Sequence, residues 1–194
     1  MTFRQIAKAV YSDMKTLPVE ARQDLEASYT YDPINGTTAA ATHLAAVEVD
    51  PATCFVKIHT YVVAEDCGRI INPMIVDGQV HGGVAQGIGA ALYEEMVYDE
   101  DGQLVSASLV DYVIPSAVEI PKMDVIHIES ESAVAGGFRG MGEGGTIGAP
   151  AAIANAIADA LSPLGINVST LPMTPQRIFT LLAHARIKAK GSKP

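Results

Sequence analysis

Tryptophan is absent from the sequence, cysteine occurs only twice, and basic residues are scarce. Cys54 and Cys67 are far apart and form no C-x-x-C pair, so the sequence predicts neither a disulfide framework nor a zinc or cluster site. Lys and Arg number 13 against 22 Asp and Glu, which gives a formal net charge of −9. No basic stripe breaks this acidic excess, and we expect no nucleic-acid partner, because phosphate binding needs clustered Lys and Arg.

Long apolar runs are also missing, since no window approaches the about eighteen consecutive apolar residues of a membrane-spanning helix. The amphipathic stretch "MTFRQIAKAVYSDMK" lacks the apolar core and the small-residue cleavage site of a secretory signal. Of the 194 residues, 48% are apolar and 18% are charged, a composition typical of a globular domain that buries a core. We therefore expect a cytoplasmic protein with no membrane span.

Local patterns predict an α+β fold, with strands and hairpins packed against separated helices. Thr2 is a helix cap, and residues 1–38 form a lead-in helix and an extended segment. In the main region, 39–187, a β-hairpin turns at Asp50-Pro51-Ala52-Thr53, and a strand runs from Met123 to Glu129. Further predicted elements are a hairpin at Asp101-Gly102, helices over 77–96, over 146–161 and from Thr174-Pro175 onward, and a polar tail, 188–194.

The helix predicted over 77–96 is rich in glycine, with the sequence "DGQVHGGVAQGIGAALYEEM". Each interior glycine costs about 1 kcal/mol relative to alanine, so the small residues must gain something from close approach. One face carries Gln79, Gly82, Gly83, Gln86 and Ala90. Tight packing of the helix on a sheet explains this face as well as contact with a ligand or another chain does, with Gln79 and Gln86 as the polar contacts.

A second glycine-rich stretch, "FRGMGEGGTIGAP", spans Phe138 to Pro150. It matches G-x-G-x-x-G at Gly140–Gly145, but a dinucleotide fingerprint needs a strand directly before the loop and an acidic residue that ends the next strand. Here several residues separate the loop from the strand, and Asp159 lies inside a helical run. Glu143 would also repel a pyrophosphate. The match predicts no phosphate site.

Glu143 is itself a candidate reagent, because glycines on both sides leave its carboxylate unobstructed. The N–H groups of the following helix favour the ionised form, whereas burial favours the neutral form. A balance of the two gives a general base that works near neutral pH. From the loop alone, a structural role as the N-terminal partner of the helix explains Glu143 better.

The other titratable residues give weaker signals. The five histidines show no i, i+4 pairing and no cysteine companion, which favours surface or strand positions over a zinc site. His81 lies close to the glycine face, where a packing role is favoured. Cys67 follows Glu65 and Asp66, an acidic setting that disfavours a thiolate.

Two segments together resemble a known family: "EDCGRIINPMIVDGQVHGGVAQGIGAALYEE", with G-Q-x-x-G-G-x-x-Q-G-I-G, and "FRGMGEGGTIGAPAAIANAIADAL", with G-x-G-E-G-G. They are similar to the carboxy-terminal part of the molybdopterin-binding large subunit of molybdenum hydroxylases, the xanthine dehydrogenase, aldehyde oxidase and carbon monoxide dehydrogenase family. The upstream run "LEASYTYDPINGTTAAATHLAAVEVDPAT" resembles the lead into the same domain. The resemblance implies that 39–187 is the C-terminal portion of a molybdopterin-binding catalytic domain.

The resemblance also implies chemistry and site residues. In this family a glutamate accepts a proton from a hydroxyl ligand of a molybdenum–pterin cofactor, and the substrate is oxidatively hydroxylated. Glu143 matches that catalytic glutamate, and Gln79 matches a glutamine that hydrogen-bonds the pterin. Gly140, Met141 and Gly142 match the backbone that approaches the cofactor, and no residue of this chain is expected to ligate the metal. Arg139 stands where relatives often have lysine, which keeps the charge but changes its geometry.

Family large subunits are several times longer than this chain. We therefore expect a split subunit that is active only in a heteromeric complex, with the rest of the large subunit, an iron–sulfur subunit and an FAD subunit as partners. The expected cofactors are the cytosine dinucleotide form of the molybdenum pterin, shared with a partner chain, and 2Fe-2S clusters and FAD on other subunits. Expected substrates are aldehydes, N-heterocycles or related small molecules. The alternatives are a non-catalytic assembly or cofactor-binding module and, more remotely, an independent dinucleotide-binding protein.

Overall fold

The computed structural model describes residues 1–22, 25–32 and 36–191, with the backbone alone for 189–191. By its internal contacts the chain divides into two compact units, Met1–Ile34 and Asn35–Pro194. The finer division at residues 38 and 187 stays a prediction. The polar tail predicted from 188 belongs to a helix up to Gly191, and residues 192–194 lie outside the described residues.

The first unit begins with a short amphipathic helix, α1 (Phe3–Tyr11). Thr2 caps it as predicted: its side chain accepts a hydrogen bond from the Gln5 N–H, while the Gln5 side chain accepts one from the Thr2 N–H. Two short 3₁₀ turns follow, at Met14–Thr16 and Val19–Ala21. Val10 is the buried residue of α1.

The second unit contains a three-stranded sheet with the order β1-β2-β3. Strands β1 (Ala40–Val49) and β2 (Val56–Asp66) are antiparallel, and β3 (Met123–His127) lies parallel to β2. The predicted hairpin turn is confirmed. Asp50 closes it, since its carboxylate accepts hydrogen bonds from the Ala52 N–H and the Thr53 hydroxyl.

Helices pack around this sheet: α2 (Pro73–Leu92), α3 (Gly144–Ile147), α4 (Ala149–Leu161) and α5 (Pro175–Gly191). Helix α4 lies on β1, and α2 contacts both α3 and α4. The core is formed by fully buried side chains from the sheet and the helices: Tyr61, Val63, Val80, Val84, Ile88, Ile153, Ile157, Met173 and Ile178. The predicted α+β class is confirmed.

Several element boundaries differ from the sequence prediction: α2 ends at Leu92 rather than at 96, and β3 ends at His127 rather than at Glu129. Helix α2 begins at Pro73 rather than near residue 77, because proline fits the first turn of a helix, where its missing N–H is not needed. The helix predicted from Thr146 begins at Gly144 and is interrupted at Gly148, with Pro150 in the first turn of α4. The predicted hairpin at Asp101-Gly102 is reduced to one bridge, between Tyr98 and Leu104.

One segment, Gly144–Leu164, is long and apolar enough to cross a membrane by length and composition. The core helix of a soluble protein passes the same test. Here Ile153, Ile157 and Leu161 of this segment are buried in the core cluster. Core packing accounts for these three side chains, and 22% of the apolar window is buried.

Candidate functional site

Arg139, the residue before the glycine-rich loop at 140–145, is bonded to the end of β2. The Arg139 N–H donates to the Cys67 carbonyl oxygen at 2.7 Å. Its guanidinium pairs with Asp66 at 2.9 Å and donates to the Glu131 carbonyl oxygen at 2.6 Å. Hydrogen bonds from Ser130 and from the Gly68 N–H hold the pKa of Asp66 well below its usual range. Asp66 is therefore ionised when it fixes Arg139.

Helix α2 packs closely against the end of the loop at two of its glycines. A Cβ added to Gly83 would lie 2.9 Å from the backbone of Gly145, and one added to Gly87 would lie 2.5 Å from the Ala149 side chain. The Thr146 hydroxyl donates to the Gly83 carbonyl oxygen at 2.9 Å. Close packing is therefore the reason for Gly83 and Gly87, and their partner is a helix and not the predicted sheet. Gly89 is also closely packed, against Glu94 and Pro115.

Two hydrogen bonds hold the loop on either side of Glu143. The Gln79 side-chain amide donates to the Gly142 carbonyl oxygen at 2.8 Å. The His43 Nε2 lies 3.2 Å from the Gly144 carbonyl oxygen. The backbone before and after Glu143 is thus bonded to α2 and to β1.

His43 can make its second contact only in one tautomer. A carbonyl oxygen accepts, so Nε2 carries the hydrogen, and Nδ1 accepts from the Tyr61 hydroxyl at 2.9 Å. Tyr61 is fully buried, and burial raises the pKa of its phenol. Burial lowers the pKa of His43, with the hydrogen bond to Gly144 acting in the opposite direction. The neutral imidazole therefore satisfies both partners.

The side chain of Glu143 is exposed and makes no hydrogen bond to any residue that the structure describes. It occupies the N-cap position of α3 but does not bond the helix N–H groups. The structural role that the loop alone favoured, a helix partner, is thus not what the side chain does. Since α3 is a single turn, its dipole contributes less than the long helix that the sequence predicted.

The backbone around Glu143 is open. A Cβ added to Gly140, Gly142, Gly78 or Gly82 would meet nothing within 4 Å. Within the described part of the chain, the N–H groups of 140–142 donate to no acceptor. These glycines therefore leave an accessible polar surface beside the carboxylate, bordered by the exposed Gln79. The predicted residues of the site, Gln79, Gly140, Met141, Gly142 and Glu143, are brought together.

A buried carboxyl group lies on the inner side of the loop. Glu65, at the end of β2, is 2% exposed, and its Oε2 would be 3.2 Å from a Cβ added to Gly144. Its Oε1 lies 3.4 Å from His127 Nδ1, and His127 Nε2 lies 2.7 Å from Asp77 Oδ1. Sequence reasoning missed this cluster, since His127 joins Glu65 only through the parallel pairing of β2 with β3.

Cys67 lies beside Glu65 and is 4% exposed. Burial raises the pKa of its thiol, and the charge and hydrogen bond of Glu65 raise it further. The prediction that Cys67 is a poor nucleophile agrees with this setting. No group of three or more His, Cys, Asp or Glu side chains placed to hold a metal ion occurs in the ranges described above.

The sequence profile of the molybdopterin cofactor-binding domain family matches residues 1–121. The nicotine 6-hydroxylase large subunit of Paenarthrobacter nicotinovorans is 42% identical over 179 residues, which cover 92% of this chain and 22% of that protein. The carbon monoxide dehydrogenase large chain of Hydrogenophaga pseudoflava is 32% identical over 93% of this chain and 22% of that protein. This chain thus spans about a fifth of the length of these relatives.

Solved structures share the fold. The structure of quinoline 2-oxidoreductase from Pseudomonas putida 86 superposes with a TM-score of 0.83 and 43% sequence identity, covering 94% of this chain and 23% of that one. A Cu,Mo-containing carbon monoxide dehydrogenase superposes with the same TM-score, 0.83, and 30% identity over 96% of this chain and 23% of that one. The likeness includes the region beyond residue 121, where the loop with Glu143 lies.

Proposed function

Since this chain belongs to the molybdopterin cofactor-binding family of the molybdenum hydroxylases, we propose that it supplies the general base, Glu143, and pterin contacts to such an enzyme. The reaction is the oxidative hydroxylation of a small molecule by a complex of which this chain is one part. The relatives of this chain are molybdenum-dependent dehydrogenases and hydroxylases.

The position of the Glu143 carboxylate is the observation that carries the proposal. The side chain is exposed and bonded to no described residue, while the backbone beside it is fixed by Gln79 and His43. A general base needs a free carboxylate in a defined place, within reach of the proton that it removes. Glu143 accepts that proton on a carboxylate oxygen, and the two backbone anchors keep the carboxylate from drifting away from the substrate.

The open backbone surface fits a large, flat, polar cofactor. Glycines 78, 82, 140 and 142 leave room that a Cβ would fill. The free N–H groups of Gly140, Met141 and Gly142 can donate to cofactor oxygens, and the Gln79 amide has its oxygen and one hydrogen to spare. When bound, the molybdenum–pterin group supplies the two-electron oxidation.

Partner chains complete the site in this proposal. Large apolar side chains are exposed along the start of α2 and after it, including Ile71, Met74, Ile75, Leu109 and Val110. Ile71, Met74 and Ile75 lie within five residues of one another, and a cluster of exposed apolar side chains is typical of an interface. We assign to it the remaining part of the large subunit, which would share the cofactor in its cytosine dinucleotide form. An iron–sulfur subunit with 2Fe-2S clusters and an FAD subunit would carry electrons away, in the cytoplasm.

The substrate class that the comparisons favour is the N-heterocycles. Relatives at 42% and 43% identity carry nicotine and quinoline in their names, whereas those named for carbon monoxide are 30% to 32% identical. Nicotine and quinoline are both nitrogen heterocycles. We therefore propose an N-heterocycle as substrate, ahead of an aldehyde.

The test is to purify the complex that assembles around this chain with Glu143→Gln, and with Glu100→Gln as the matched control on an exposed turn. We expect Glu143→Gln to keep its molybdenum and pterin and to lose turnover of an N-heterocycle by about 10²–10⁴-fold, the usual contribution of a general base. Glu100→Gln should keep both the cofactor and the turnover of wild type. Unchanged turnover in Glu143→Gln would instead support the alternative, a non-catalytic assembly or cofactor-binding module.

A further inference from the structure

Glu65 and His127 form a buried pair that the proposed chemistry does not use. They are direct partners in the parallel register of β2 and β3, so their side chains lie side by side on one face of the sheet. Glu65 Oε1 and His127 Nδ1 are 3.4 Å apart, and both atoms are buried without a hydrogen-bond partner of good geometry among the described residues. Buried polar atoms are almost always bonded in folded proteins, so this pair needs an explanation.

The outer side of His127 fixes the position of one hydrogen. Nε2 lies 2.7 Å from the Asp77 carboxylate, which can only accept, so Nε2 carries a hydrogen. In the neutral ring Nδ1 then has a lone pair, and this lone pair faces Glu65 Oε1. If Glu65 were ionised as well, two lone pairs would face each other inside the protein. One proton between Glu65 Oε1 and His127 Nδ1 removes this conflict.

Burial favours retention of that proton. Glu65 is 2% exposed, and burial raises the pKa of its carboxyl group, partly offset by the Cys67 thiol and by His127. The titratable groups that act on the pair are Asp66 and Cys67, which follow Glu65 in the chain, and Asp77 from α2. Asp66 is already neutralised by Arg139, and from the loop the backbone of Gly144 faces Glu65.

The loop rests on this pair. Glu65 Oε2 would be 3.2 Å from a Cβ added to Gly144, so the carboxyl group packs against the residue that follows Glu143. We propose that Glu65 and His127 share one proton and form a brace beneath Gly144, which positions Glu143 and loosens when the proton is lost. This positioning role rests on the proposed function of Glu143, whereas the shared proton does not.

The test follows the ring nitrogens of His127 by NMR in the ¹⁵N-histidine-labelled chain between pH 5 and 9, with His127→Gln to assign the signals. We expect the Nε2 signal to remain that of a protonated nitrogen over the whole range. The Nδ1 signal should change in a single step, when the shared proton is lost. The backbone N–H signals of Gly142 and Gly144 should shift with the same midpoint. In Glu65→Gln the amide can donate a hydrogen bond to Nδ1 at every pH. The step should therefore vanish from the His127 signal and from the loop signals. Asp77→Asn, which still accepts from Nε2 without a charge, should lower the midpoint.

A His127 titration that is the same in wild type and Glu65→Gln would overturn the shared proton. Loop signals that do not change with the His127 step would overturn the brace.

In the complex, Glu65→Gln should remove one limb of the pH profile of turnover while the cofactor is retained, a change that a purely structural role would not cause. If Glu143→Gln stays active while the NMR step is present, the proposed function fails and the shared proton stands; if the step is missing and Glu143→Gln is inactive, only this inference fails.

Discussion

The side-chain amide of Gln79 donates a 2.8 Å hydrogen bond to the carbonyl oxygen of Gly142. This bond joins the two glycine-rich motifs, which are 63 residues apart in the sequence. It places the exposed end of Gln79 beside the residue that precedes Glu143. The glycine helix and the glycine loop therefore form one surface.

Gln79→Ala should reduce binding of the cofactor more than it reduces the stability of the fold. One net hydrogen bond contributes about 1 kcal/mol, so the free energy of unfolding should fall by no more than about that amount. Retention of the pterin cofactor by the assembled complex should fall clearly, because the substitution removes both the hydrogen bond to Gly142 and the proposed contact with the cofactor. Gln103→Ala, on the turn near Asp101, is the control; equal cofactor content in the two variants would contradict the role of Gln79.

Neighbouring glycines of α2 should respond in opposite ways to the same change. Gly83→Ala places a Cβ 2.9 Å from the Gly145 backbone, and overpacking of this kind costs about 1–3 kcal/mol of unfolding free energy. Gly82→Ala meets open space and should stabilise the chain by about 1 kcal/mol through helix propensity. Urea titration of both variants measures this, and a stable Gly83→Ala would refute the close contact.

Gly82→Ala should have a second effect if the open face receives the cofactor. The added methyl group would occupy space that the proposed cofactor surface leaves free. The variant should therefore be more stable as an isolated chain and carry less molybdenum in the complex. Molybdenum analysis of the purified complex decides this, and full loading would place the cofactor elsewhere.

Neutral His43 should make the stability of the chain depend on pH. Its pKa is lowered by burial from 6.5, so the unfolded chain binds the proton more readily. This contribution to the unfolding free energy is complete above pH 6.5 and is lost as the pH falls towards the lowered value. Denaturation at pH 7.5 and 5.5 should show the loss in wild type. His43→Phe should lack that component, and should cost about 1–3 kcal/mol because the Tyr61 hydroxyl loses its partner.

His184→Phe serves as the control for that comparison, because His184 is exposed on α5. It should keep the pH dependence of wild type. If His43→Phe and wild type lose equal stability between the two pH values, the account of a neutral His43 is wrong. The comparison isolates His43 because other titrating groups, Glu65 included, are common to both proteins.

Local signals predicted much of the fold. The Thr2 cap, the Asp50 turn and the start of α5 at Pro175 are decided by residues close in sequence, and the structure confirms them. The break at Gly148 was not predicted, because the ring of His43, a residue of β1, packs against that glycine. Contacts between distant segments leave no periodic trace in a sequence.

The same distinction separates the parts of the site. The glycines and Glu143 stood out because their residue types are unusual in a helix and a loop. His43 and His127 were interpreted as ordinary strand or surface histidines, since nothing local marks a histidine that bonds a loop carbonyl or a buried acid. Their partners, Gly144 and Glu65, are brought to them by the sheet and by the packing of α3.

The rate of cofactor reduction by substrate tests the central claim most directly. The assembled complex would be mixed rapidly with an N-heterocycle without an electron acceptor, so that only the step assigned to Glu143 is observed. We predict that Glu143→Gln, with its molybdenum and pterin retained, is reduced at least about 100-fold more slowly than wild type and than Glu100→Gln. Reduction of all three at the same rate would show that Glu143 is not the base.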